Sequence, residues 1–200
     1  MNTKVLIGKP SDFDQDILEA FYKFRKRVFM NHLKWSLTSE LDMEIDDYDN
    51  LNCFYAILIN DNNNIQGGYR FIPTNKPYLI RDKFRDIINR SVTLPQSKTT
   101  WEITRFFSVT PDNRQAKSNM KTLMSTMLEL GLSQDVDKFI IDTDNRMLIS
   151  FQNLNWPFET LSESRRCGKR EYTVGLLDCS RDVLHTLKTK MQTVSPTLLS

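Results

Sequence analysis

Trp101-Glu102-Ile103-Thr104-Arg105-Phe106-Phe107-Ser108-Val109 is a run of aromatic and β-branched residues that reads as a strand. Two ionisable residues of opposite sign, Glu102 and Arg105, interrupt this otherwise apolar segment. Removing such a charge from water costs several kcal/mol unless a counter-ion or several hydrogen bonds answer it, so these charges are either paired or functional. The same mixture of aromatic and charged residues recurs upstream, in Arg25 before Val28-Phe29, in Trp35, in Asp46 and Asp49, and in Arg70.

The pattern around this strand predicts an alternation of elements. Ile17, Leu18, Phe21, Phe24, Arg25, Val28 and Phe29 recur at helical spacing over 12–34, behind Ser11 or Asp12 as a cap. Residues 36–50 are acidic and irregular, which predicts a loop. Strands at 53–59 and 65–72 flank the turn Asp61-Asn62-Asn63-Asn64, the clearest hairpin in the chain. A short helix is expected over 80–89, and beyond the strand an amphipathic helix over 117–132, with Gly131 helping to end it. Then follow a strand at 138–143, a helix at 147–154, strands at 156–161 and 171–179, and a helix at 181–191. Strands alternating with helices after an initial hairpin predict a mixed α/β or α+β sheet with helices on both faces.

The bulk properties narrow the function classes. Two hundred residues suit one domain able to bury its own core, here 1–200 with a frayed tail from 194. A formal net charge of +2 does not point to nucleic-acid binding. Cys53, Cys167 and Cys179 are scattered beside only two histidines, which predicts no disulfide framework, no metal site and a reducing compartment. No basic segment leads into an apolar core near the N-terminus, and no apolar run approaches the ~20 residues of a membrane span. The expectation is a soluble, cytoplasmic protein without membrane partners.

Order and spacing closely resemble the acyl-homoserine lactone synthase family, the autoinducer synthases of bacterial quorum sensing. The matching stretches are Phe24-Arg25-Lys26-Arg27-Val28-Phe29 with Leu33-Lys34-Trp35, then Glu44-Ile45-Asp46-Asp47-Tyr48-Asp49. Next come Gly68-Tyr69-Arg70-Phe71-Ile72-Pro73-Thr74, Pro77-Tyr78-Leu79 and Asp82-Lys83-Phe84, and then Trp101 to Phe106. The likeness spans most of 15–160 and is dense over 24–106. It implies a three-layer sandwich related to the N-acetyltransferases. It also implies a two-part reaction that needs no cofactor. The amine of S-adenosyl-methionine, a substrate, takes a fatty acyl group from the thioester of an acyl carrier protein. The methionyl carboxylate then closes a lactone and expels methylthioadenosine.

That resemblance assigns expected roles to residues. Glu102, with Arg70 and Arg105, is the catalytic candidate; its carboxylate either accepts a proton, directly or through water, or belongs to a structural ion pair. Arg25, Arg70 and Arg105 balance Asp46, Asp49 and Glu102, either as a network pinning loop 36–50 over the substrate or with some of them holding the carboxylate or ribose of S-adenosyl-methionine. On the S-adenosyl-methionine side the expected residues are Arg25, Phe29, Trp35, Asp46, Asp49 and Phe106, with Phe29 read equally as core. Met124 and Met127 read either as the packing face of a helix on the sheet or, with Ile141 and Thr143, as the acyl pocket that the resemblance implies. Ile141 stands where many members carry a threonine, and Thr143 shares its strand face. Arg165, Arg166, Lys169 and Arg170 form either a solvated loop or a docking patch for the acidic carrier protein.

Two rival readings are a general acyl- or acetyl-CoA N-acyltransferase of the same fold and a catalytically inactive binding relative. N-acetyltransferases cradle the diphosphate of coenzyme A with a glycine-rich turn at a helix start. The corresponding stretch, Asn113-Arg114-Gln115-Ala116-Lys117-Ser118-Asn119, has no glycine.

Overall fold

The computed structural model describes residues 3–37, 39, 41–110 and 112–191, so the tail expected to fray lies outside the described residues. The chain groups into two compact units, Met1–Phe71 with Arg105–Leu123, and Ile72–Thr104 with Met124–Ser200.

In the first unit, β1 (Thr3–Gly8) pairs antiparallel with β2 (Phe54–Asn60), which forms a hairpin with β3 (Ile65–Pro73). The hairpin turn is made by asparagine. The Asn60 side chain accepts from the N–H groups of Asn62 and Asn64, and Asn63 takes φ +57°, a conformation Asn tolerates better than most residues. Tyr55 of β2 and Arg70 of β3 are directly opposed in the register. Against these strands packs α1 (Gln15–Arg25), burying Phe21, Tyr22 and Arg25. The predicted helix over 12–34 is therefore composite, because α1 passes into a π-helical segment, Lys26–His32, closed by Leu33 N–H donating to the carbonyl of Val28. Such i→i+5 turns are uncommon and cluster at functional sites.

In the second unit, the first part of β4 (Thr100–Ser108) runs parallel to β5 (Lys138–Asp144). The antiparallel strand β8 (Arg170–Asp178) lies against β5 and pairs with two short strands, β6 (Phe158–Thr160) and β7 (Arg165–Cys167). The helices here are α2 (Leu79–Lys83), most of the second half of α3 (Asn113–Ser133), α4 (Asn145–Asn153) and α5 (Arg181–Met191). A 3-10 turn, Arg85–Ile87, follows α2 where one longer helix was expected. Within this unit helices cover both strand faces. At Gly131 a side chain would sit 2.5 Å from the Phe139 ring, so α3 lies close on the Phe139 face, which by alternation also carries Ile141 and Thr143. Glu102 and Ile140, neighbours in the register, occupy the opposite face, where α2 meets Glu102.

Two strands have no counterpart in the sequence reading. β1 is an edge strand whose partner lies some fifty residues away in the chain, which leaves no local turn to announce it. β7 and β8 form a tight hairpin through Gly168-Lys169, with Gly168 at φ +62°, a backbone conformation glycine supplies without strain. Charged flanks disguised that hairpin as a loop.

Gly175 of β8 sets a close approach between β8 and β6. An added Cβ would lie 2.3 Å from Phe158 Cζ and 2.5 Å from the carbonyl oxygen of Glu159. Because one obstacle is backbone, Gly175→Ala is expected to lower the unfolding free energy by about 1–3 kcal/mol, read from urea denaturation at neutral pH.

Candidate active site

The first unit gathers three guanidiniums and three carboxylates from four segments. Arg25 ends α1, Arg70 lies on β3, Arg105 on β4, and Glu44, Asp46 and Asp49 come from the acidic loop. Arg25 grips Asp49 through both terminal nitrogens at 2.7 and 2.8 Å, and its Nε donates to Glu44 at 2.7 Å. Arg70 forms a bidentate pair with Asp46, and its Nη1 lies 2.7 Å from Asp49 Oδ1. Arg105 donates to both oxygens of Glu44 and, at 2.9 Å, to Asp46 Oδ2. Planar guanidinium forks match carboxylates two bonds at a time, which locks orientation as well as charge.

Burial makes the network a strict arrangement. The side chains of Arg25, Arg70 and Asp49 are fully buried, and only Asp46, 17% exposed, presents an appreciable surface. Burial alone would raise the pKa of Asp49; the charges of Arg25 and Arg70 outweigh it and hold the carboxyl well below the usual carboxylate range. For Arg25 and Arg70 burial favours the neutral form, and their carboxylate partners reverse that, pushing both pKa values up.

The loop reinforces itself from within. Asp46 N–H donates to Asp49 Oδ2 at 2.8 Å, Tyr48 N–H donates to Asp46 Oδ1 at 2.9 Å, and Glu44 N–H reaches the carbonyl of Tyr22. Arg105 sits at φ +56°, a left-handed conformation that costs a non-glycine residue roughly 1–2 kcal/mol. Its bonds to Glu44 and Asp46 hold it there. Aromatic rings enclose this side. Phe29 and Trp35 pack at 4.9 Å, the Arg105 guanidinium lies over both rings, and Phe107 meets Phe21, Phe24 and Phe29. The ring of Phe106 instead stacks on Tyr69 at 5.5 Å, on the strand face opposite Phe107.

In the second unit, Glu102 is fully buried and accepts hydrogen bonds from the N–H groups of Leu79, at 3.0 Å, and Ile80, at 2.6 Å. An anion at the first turn of α2 complements the peptide dipoles there. Met124 and Met127 of α3, and Ile141 and Thr143 of β5, are buried. At the β7–β8 hairpin Arg165 pairs with Asp142 and lies over the rings of Phe84 and Tyr172, while Arg170 binds Asp144 at 2.7 Å. The hydrogen bond to Asp142 pushes the Arg165 pKa up. Arg166 and Lys169 are exposed.

The sequence and the fold match known proteins. The model of the autoinducer synthase family covers residues 11–187. The chain belongs to the autoinducer synthase family. An acyl-homoserine-lactone synthase of Acinetobacter nosocomialis is 27% identical over 146 residues, covering 73% of this chain and 78% of that one. The solved structure of a CoA-dependent acyl-homoserine lactone synthase, BjaI, with SAM and isopentyl-CoA superposes with a TM-score of 0.86 at 21% identity, covering 98% of this chain and 92% of that one. An acyl-CoA N-acyltransferase from Pseudomonas aeruginosa aligns at a TM-score of 0.59 and 13% identity, over 88% of this chain and 99% of that one. The fold is thus the mixed α/β fold of autoinducer synthases, akin to N-acyltransferases, and the chain is an acyltransferase by class.

For this family member the structure redistributes the residues singled out in the sequence. Arg25, Arg70, Arg105, Asp46 and Asp49 converge with Phe29 and Trp35 within one unit. The sequence reading missed Glu44, although it stands in the matching stretch; Glu44 joins the charge set as a partner of Arg25 and Arg105, and the Glu102 oxygens accept from α2. Its signal was there, an acidic residue two before Asp46 in a loop facing surplus arginines. Phe106 departs from the expected group because strand alternation turns it away from Phe107. Of the four cations at 165–170, carboxylates on β5 and at its end neutralise Arg165 and Arg170.

The depressed pKa of Asp49 fixes the sign of a pH effect. Its folded value lies below the unfolded one, so its stabilisation is complete above about pH 4 and is lost as pH falls through that value toward the folded pKa. The urea midpoint should therefore drop between pH 5 and pH 3, and Asp49→Asn, less stable at pH 7, should show a shallower drop over the same range.

Proposed function

We propose that the chain is an acyl-homoserine-lactone synthase that acylates the amine of S-adenosyl-methionine from the thioester of an acyl carrier protein. The observation that carries this reading is the buried, charge-balanced network whose least buried member is Asp46. A neutral, rigid network with one partly exposed carboxylate edge can recognise a cationic or hydroxyl-bearing ligand without itself moving. Phe29 and Trp35 beside it offer aromatic surface for a sulfonium or a purine.

The reaction balances as follows. The substrate ammonium gives up a proton, and the free amine attacks the thioester carbonyl. The carbon–sulfur bond breaks, leaving an amide and the carrier thiol. The methionyl carboxylate then attacks its own γ-carbon, and the sulfonium leaves as neutral methylthioadenosine. The N–H groups of Leu79 and Ile80 together hold the buried Glu102 carboxylate against the start of α2. That supports the anchoring role over the proton-accepting one. Met124 and Met127 on one side and Ile141 and Thr143 on the strand face beneath α3 supply a deformable apolar wall suited to an acyl chain.

Two features favour a carrier protein over coenzyme A. Asp112 Oδ1 accepts from Arg114 N–H at 2.7 Å, so a carboxylate already occupies the start of α3, where a diphosphate would need free N–H groups. The exposed Arg166 and Lys169 at the β7–β8 turn suit an acidic partner.

Purified protein should convert S-adenosyl-methionine and acyl carrier thioesters to lactone and methylthioadenosine in equal amounts, followed by mass spectrometry. A folded protein that yields neither product with a range of carrier and coenzyme A thioesters overturns the reading. Charge reversal, Arg166→Glu with Lys169→Glu, should raise KM for the carrier thioester roughly tenfold and leave S-adenosyl-methionine KM unchanged. Glu102→Gln should lower kcat while preserving the shape of the pH–rate profile; loss of its acidic limb would instead make Glu102 the proton acceptor.

A further inference from the structure

Behind the charge network lies a second, buried layer that none of the roles above uses. Tyr55 Oη donates to Asp49 Oδ1 at 2.6 Å, and Tyr22 Oη lies 3.0 Å from Tyr55 Oη. A carboxylate only accepts, so the Tyr55 proton points to Asp49 and the Tyr22 proton must point to Tyr55. The direction of the chain is therefore fixed, from α1 through β2 to the loop. It ends at Asp49, whose Oδ2 accepts from the other side the N–H of Asp46, the residue that bears the exposed edge. Tyr55 stands opposite Arg70 in the strand register, so both reach Asp49 Oδ1 from one face. The ring of Tyr22 lies 5.3 Å from the Arg25 guanidinium, which binds the same carboxylate.

We infer that Tyr22 and Tyr55 are positioning residues for the amine-donor side of the site, a directed hydrogen-bond chain that aims Asp49 and, through its hold on the loop backbone, the Asp46 edge. This rests on the synthase reading for the identity of the donor, S-adenosyl-methionine. Burial pushes the Tyr22 hydroxyl up to about 12, and burial with the charge of Asp49 pushes Tyr55 further. Both hydroxyls thus keep their protons at physiological pH and act as donors, not as proton carriers. Without the Tyr55 donor the two arginines still neutralise and grip Asp49, but Oδ1 loses one of its three contacts, the shortest of them.

The test measures S-adenosyl-methionine Kd by calorimetry and the KM of both substrates in lactone synthesis, for the full chain, Tyr55→Phe, Tyr22→Phe and the double variant. Tyr55→Phe should weaken S-adenosyl-methionine roughly five- to tenfold in Kd and KM, the loss expected of one hydrogen bond to a buried charge, with the acyl-donor KM within about twofold. Tyr22→Phe should shift the same values less, and the double variant should match Tyr55→Phe alone, because Tyr22 acts through Tyr55. An unchanged S-adenosyl-methionine Kd in Tyr55→Phe, additive losses in the double variant, or equal losses for both substrates would each overturn the inference. If Tyr55→Phe does not fold, Tyr22→Phe decides alone, and an unchanged Kd there rejects the chain. Wild-type protein that binds S-adenosyl-methionine without making lactone rejects the synthase reading, and the Kd series still decides the positioning role; wild-type protein that does not bind it rejects both.

Discussion

Everything in the first unit depends on pairing the charges that it buries. A single guanidinium in the position of Arg25 or Arg70 would be prohibitive in an apolar interior, and so would the carboxylate of Asp49. Together they are tolerable, because each finds at least two partners at hydrogen-bonding distance. The consequence is structural as much as electrostatic. The stretch from Asp42 to Asn50 has no regular secondary structure of its own, and its conformation is dictated by arginines on α1, β3 and β4. The acidic loop is the counter-ion of those arginines, folded around them.

Departures from regular geometry collect in the same unit. The π-helical segment Lys26–His32 brings Phe29 inward, and Trp35 N–H then donates to the Phe29 carbonyl, so the chain doubles back with the two rings in contact. Arg105 holds a left-handed backbone within a strand. Such local costs persist only when surrounding contacts over-determine them, as the Glu44 and Asp46 bonds do for Arg105. A hydrophobic core does not ask for this. It is the pattern of side chains held rigidly in place by their surroundings.

Much of the architecture was readable from periodicity, and the failures have specific causes. The β2–β3 hairpin, the central part of α3, β5, β8 and α5 carry strong local signals: an asparagine turn, a methionine- and leucine-rich helical face, and β-branched runs. β1 was missed because its partner is distant in the chain, and β7 because three arginines and a lysine masked a two-residue turn at Gly168. The start of α3 was placed late because Asn113 to Ala116 offers no apolar periodicity; Asp112 begins it by capping.

The residue types of the charge set were written in the sequence: arginines and carboxylates inside apolar segments demand one another, whatever fold brings them together. Their pairing was not. Sequence spacing cannot tell that Glu44 is a partner of Arg105, since that depends on where a loop some sixty residues upstream returns in space. Nor can it tell that Phe106 stacks on Tyr69, that carboxylates of β5 neutralise Arg165 and Arg170, or that Tyr22 and Tyr55 meet behind Asp49. Burial and hydrogen bonding are long-range properties, decided by which segments the fold stacks together. The sequence therefore determined which charges had to be neutralised, and the tertiary structure decided by whom.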